Sequence, residues 1–152
     1  MNWKKISLVV FIAIVVILQV IPYERPETTT DNPTDLLLNN ELPDTISSLL
    51  RAACYDCHSN ETKYPWYAYV APVSWLVIRD IRIGRENMNF SDWESLSKMD
   101  KAKLLGNIAE EVEDGEMPMP IYILMHPEAK LTDSQRKMIV DWSDGFAESL
   151  FE

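Results

Sequence analysis

Cys54-Tyr55-Asp56-Cys57-His58 decides how the rest of the sequence is read. It holds both cysteines of the chain and one of its two histidines. A C-x-x-C-H run is the attachment signature of c-type haem. Each thiol adds across a haem vinyl group, and the following histidine is placed to ligate the iron from the proximal side. A single helical turn brings all three groups to one macrocycle. Two other chemistries use paired cysteines. A thioredoxin-like dithiol needs a surrounding βαβ pattern, which the sequence does not have. A zinc site needs a second pair of ligands, and only His126 is left to supply one. The expectation is one covalently attached haem c on Cys54 and Cys57, with His58 as its proximal ligand.

The stretch that faces the iron from the other side is expected between Gly115 and Pro127, which contains Met117-Pro118-Met119-Pro120 and Met125-His126. A thioether suits an electron-transfer haem, because Met/His ligation fills the sixth position and raises the reduction potential. Met117 is the expected distal ligand. Met119 and His126 are the alternatives, with Met125 after them. His126 would give bis-histidine ligation and a lower potential, or else serve as a hydrogen-bond donor behind the ligands.

Around these two stretches the pattern is helical throughout. Asp44 caps a helix with Ile46, Leu49, Leu50 and Ala53 on one face, which delivers Cys54. Pro72 opens a second helix running to about Asn87, with Trp75, Ile78 and Ile81 inward. Arg79, Arg82 and Arg85 recur along it, as a solvated face balanced by Asp80 and Glu86 or as partners for a haem propionate. Gly84, costly inside a helix, marks a place where something comes close. Ser91 caps a short helix, and Asp100 caps a longer one carrying Leu104, Leu105, Ile108, Ala109 and Val112 up to a stop at Gly115. Thr132-Asp133-Ser134-Gln135 is a capping box for the last helix, with Met138, Ile139, Trp142 and Phe146 inward. The aromatic run Tyr64-Pro65-Trp66-Tyr67-Ala68-Tyr69 is expected against the porphyrin edge.

The N-terminus carries Lys4 and Lys5 and then an apolar run from Ile6 to Ile21. As a helix that run reaches ~24 Å, and ~31 Å when counted from Trp3 to Tyr23, against a hydrocarbon core of ~30 Å. With no small-residue cleavage site before Pro22, residues 1–22 are expected to be an uncleaved signal anchor, a single transmembrane helix. The two lysines put the remainder outside a bacterial inner membrane, on the periplasmic side; a soluble periplasmic protein after signal cleavage is the alternative. Residues 23–43, which follow Pro22 and hold Pro26, Pro33 and Pro43, read as a tether, and residues 44–152 as the haem c-binding domain.

The chain's 152 residues allow one domain beyond this segment. Taking Lys4 and Lys5 from its 14 basic residues leaves 12 against 24 acidic ones, a formal charge of −12 after residue 22. That balance excludes nucleic acid as a partner and favours basic redox partner proteins. No nucleophile–base set or Gly-rich phosphate loop is present, so hydrolytic and nucleotide chemistry have no support.

The residues quoted so far carry a family likeness. From about Leu36 to Phe146 the chain resembles the haem-binding domain family of bacterial membrane-anchored mono-haem c-type cytochromes. The likeness runs through Cys54–His58, Trp66, Pro72-Val73-Ser74-Trp75, Gly84 to Trp93, Gly115-Glu116-Met117-Pro118, Tyr122, and His126-Pro127-Glu128-Ala129 with Leu131. It implies an all-α, cytochrome c-like domain wrapped around one covalent haem, with iron held by His58 and Met117. The expected function is transfer of single electrons, by a carrier rather than a substrate-converting enzyme. The alternative is a haem-based sensor or peroxidase-like protein with a displaceable distal ligand.

Overall fold

Apolar residues at helical spacing fold as the pattern dictates: in the computed structural model, which describes residues 2–152, no strand occurs among the described residues. The long elements are α1 (Trp3–Gln19), α3 (Asp44–Ala53), α5 (Val73–Asn87), α6 (Lys98–Glu113) and α8 (Asp133–Ser149). Single turns lie between them: α2 (Leu36–Asn39), α4 (Tyr55–His58) and α7 (Pro120–Ile123).

The helix ends show why they fall where they do. In α8 Thr132 Oγ1 accepts from Gln135 N at 3.3 Å and Gln135 Oε1 accepts from Thr132 N at 2.8 Å, the reciprocal box its sequence predicts. Gly115 takes φ 79° after α6, a conformation that L side chains rarely adopt. Three caps differ from expectation. Asp44 is the first residue of α3 and Pro43 holds its N-cap position, with no side-chain bond there. Ser97, not Asp100, caps α6, its hydroxyl accepting from Asp100 N at 3.2 Å. Asp100 sits in the first turn, where its charge meets the positive end of the helix dipole. Asn89, not Ser91, caps a 3-10 segment over Phe90–Ser95.

Helices α6 and α8 pack along one another, and α3 lies against α8. Leu36, Leu50, Phe90, Trp93, Leu105 and Ile139 are wholly buried between them. Each such side chain contributes on the order of 1.5–3 kcal/mol on leaving water. Helix α4, which carries the motif, packs on α5.

The N-terminal expectation is corrected. No helix among the described residues is long and apolar enough to cross a membrane, so the transmembrane helix and the inner-membrane placement that rested on it fall. Helix α1 has 17 residues, about 26 Å at about 1.5 Å per residue. It stops at Gln19, whose side chain donates to Ala71 O and accepts from Ala71 N, both at 3.0 Å. Tyr23, counted as the far end of the span, lies outside the helix and donates to Trp75 O at 2.8 Å.

Residues 23–43 follow the surface of the domain. Arg82 Nη2 donates to Glu24 O at 2.6 Å and Arg85 Nη1 to Glu27 O at 2.8 Å. Tyr64 Oη donates to Pro26 O at 2.8 Å. Further on, the fully buried Asp35 accepts from Leu37 N at 2.8 Å and from Tyr55 Oη at 3.0 Å. Of the arginines that sequence reading offered to solvent or to a propionate, Arg82 and Arg85 are thus engaged by backbone carbonyls, while Arg79 is exposed and pairs with Asp80.

Candidate cofactor cleft

The motif is delivered by α3, whose buried stripe of Ile46, Leu49, Leu50 and Ala53 anchors it to the core. The chain breaks at Cys54 and restarts as α4, with Cys57 N and His58 N both bonded to Cys54 O, at 3.1 and 2.9 Å. Asp56, in the middle, acts as a clamp. Its carboxylate accepts from Lys63 N at 3.0 Å and from Tyr122 Oη at 2.9 Å, and its carbonyl accepts from Thr62 Oγ1 at 2.7 Å. Burial, with the Asp56 charge second, drives the Tyr122 phenol pKa upward, so it stays a donor at all ordinary pH.

Gly84 has the close approach that its sequence context implies. A Cβ built there would lie 2.7 Å from Cys57 O and 3.3 Å from Cys57 Cβ. The missing side chain lets α5 pack directly on the motif backbone.

His58 Nδ1 lies 3.2 Å from Met88 O. A carbonyl only accepts, so Nδ1 carries the proton and Nε2 keeps its lone pair. Burial holds the His58 pKa below its usual value, partly offset by the carbonyls of Met88 and Gly84. The imidazole is therefore neutral at neutral pH, as a metal ligand must be. Burial pushes both thiols up to about 12, with Cys57 raising Cys54 further and Asp56 raising Cys57 further. The two thiols are free of each other, with no disulfide between them.

A cleft of about 680 Å³ opens beside the motif. That is within the roughly 300–1,000 Å³ range of cofactor sites. Its apolar wall comprises Ala53, Phe90, Leu96, Leu104, Ile108 and Val112. Cys54, His58 and Met117 share it. Cys57 does not line it; its Cβ faces Gly84.

Met117 comes from the turn after α6 and its backbone is fixed twice. Its N–H donates to Glu111 O at 3.0 Å, and its carbonyl accepts from Arg136 Nη1 at 2.9 Å. The same Arg136 nitrogen donates to Val112 O at 2.9 Å. Of the other candidates, Met119 and Met125 do not line the cleft, and Met125 is exposed. His126 is also elsewhere. Its Nε2 lies 2.6 Å from Tyr67 Oη, its Nδ1 3.0 Å from Glu128 Oε1, and Tyr122 stacks on its ring at 4.2 Å. The aromatic run 64–69 is absent from the cleft as well, and Phe90 is the ring that lines it.

Sequence reasoning missed Arg136, Asp56 and Tyr122. None carries a signal by itself, because each acts on a residue far along the chain. The residues present fit a haem: an apolar wall, a neutral imidazole with a free lone pair, a thioether and a thiol on one cleft.

Compared with known proteins, residues 13–145 match the sequence family described as a haem-binding domain. Neither curated proteins nor solved structures yield a match.

Proposed function

The chain belongs to the haem-binding domain family, and from that premise we propose that it is a mono-haem c-type cytochrome that carries single electrons. The observation that carries the reading is the convergence of Cys54, His58 and Met117 on one apolar cleft. When bound, haem supplies an iron that cycles between ferric and ferrous states by one electron.

Cys54 and Cys57 would hold the group covalently, each thiol adding across a vinyl group with its hydrogen passing to the other vinyl carbon. His58 would hold the iron through Nε2, with the Met88 carbonyl fixing its tautomer. Met117, on the same cleft, would supply a thioether as the second ligand. Two protein ligands would leave no open position for substrate, which favours a carrier over an enzyme or sensor. A peroxidase-like role needs an open position on the iron with an acid–base side chain beside it, and Met117 on the cleft would occupy that position. Glu86, Asp100, Glu110 and Glu111 line the same cleft. Their charge favours a basic docking face on the redox partner.

The test is the optical spectrum of the haem-loaded full chain in both redox states. Haem should stay on the polypeptide after denaturation in acid and solvent, and Cys54→Ala with Cys57→Ala should release it. The weak long-wavelength ferric band of sulfur–iron ligation should vanish in Met117→Ala and survive in Met119→Ala and His126→Ala. Loss of that band in Met119→Ala with retention in Met117→Ala would overturn the ligand assignment. A ferrous spectrum that changes under carbon monoxide would overturn the carrier reading.

A further inference from the structure

A haem brings two carboxylates, the propionates, into a cleft already lined by Glu86, Asp100, Glu110 and Glu111. Like charges at that density disfavour ionised propionates unless a cation stands among them. The arginines suggested by sequence are committed. Arg79 pairs with Asp80 at 2.7 Å, while Arg82 and Arg85 hold the carbonyls of Glu24 and Glu27. Arg136 is bonded to the carbonyls of Val112 and Met117. One cation lines the cleft, Lys103 on α6. Among the described residues no hydrogen bond or ion pair engages its ammonium group. By contrast, Lys101, two residues earlier, is buried against Glu94 at 2.6 Å. Asn87 and Asn107 complete the non-acidic polar lining, as neutral donors.

We propose that Lys103 is the propionate-binding residue of this cleft and sets the reduction potential through that ion pair. The proposal rests on the haem reading above. A positive charge beside the macrocycle favours the ferrous state, which carries one positive charge fewer than the ferric. Lys103 therefore holds the potential up against its four acidic neighbours. An ammonium on a flexible stem suits this place, since it acts as a point charge and follows the carboxylate.

The experiment is a redox titration of the haem-loaded full chain for wild type, Lys103→Arg, Lys103→Gln and Lys103→Glu. Lys137→Gln and Lys137→Glu, on an exposed stretch of α8 away from the cleft lining, give the same charge changes as controls. Each unit of charge removed at Lys103 should move the ferric–ferrous equilibrium about threefold toward ferric. Lys103→Glu then shifts it about tenfold, which is about 59 mV for one electron. Lys103→Arg should stay near wild type, and the Lys137 variants should shift by less than half as much. Equal shifts at the two positions, or none at Lys103, overturn the proposal and leave the haem reading standing. A wild-type chain that carries no haem overturns both.

Discussion

Replacing Gly84 by alanine puts a methyl group where the motif backbone already is. The new Cβ would sit 2.7 Å from the carbonyl oxygen of Cys57, and ordinary contact begins at 3.4 Å. Helices α4 and α5 would have to part by about 0.7 Å, and the neighbour is backbone, which cannot rotate away. Overpacking of this kind costs about 1–3 kcal/mol. Alanine returns up to about 1 kcal/mol of helix propensity. The net loss expected for Gly84→Ala is about 0–2 kcal/mol. Gly106, in the middle of α6, supplies the internal control. A Cβ there meets nothing within 4 Å, so Gly106→Ala keeps only the propensity gain. Urea denaturation of the two variants should therefore place them about 1–3 kcal/mol apart, with Gly106→Ala the more stable. The same displacement pulls the motif away from α5, which carries Met88 just past its end, so the His58–Met88 bond should lengthen and the ferric spectrum change in Gly84→Ala alone. If Gly84→Ala is as stable as Gly106→Ala, the packing of α5 on the motif is not what requires this glycine.

Two further outcomes test the same site. Arg136→Gln removes the charged donor shared by Val112 O and Met117 O, so stability should fall by about 1.5–3 kcal/mol. The sulfur–iron band should weaken with it; an unchanged band would mean that the Met117 turn is held by Glu111 alone. In the haem-free chain both thiols are raised from 9.0 to about 12. Below both values the thiolate fraction falls tenfold per pKa unit, so alkylation at about pH 8 should run about a thousandfold slower than in the urea-unfolded chain. Rates within tenfold of each other would show the thiols to be exposed.

What could be read in advance divides by the reach of the interaction. The motif, the stop at Gly115 and the box at Thr132 and Gln135 are local: their partners lie within a few residues, so spacing alone specifies them. Met117 could be singled out as a thioether in a Met-Pro turn after α6, and it lines the cleft. Gly84 was legible as an anomaly, but its partner, Cys57, was not. The walls of the cleft escaped entirely. A run as aromatic as Tyr64–Tyr69 reads as cofactor packing, yet Tyr64 and Tyr67 are held by Pro26 and His126, and Phe90 takes the place at the cleft. The arginine spacing on α5 fixed a face without fixing what lay on it. Backbone carbonyls, which have no sequence signature, turned out to be the partners.

The carboxylate of Asp35 carries a consequence for where the domain can be cut. It belongs to the stretch that composition marks as linker, yet it is sealed beneath Tyr55 and Leu36 at the centre of the core. A truncation beginning at Asp44 would strip away the partner of a buried phenol next to Cys54 and leave a hole where Leu36 had been. A truncated chain that keeps this core therefore has to include Asp35 and Leu36, upstream of the helix that begins at Asp44.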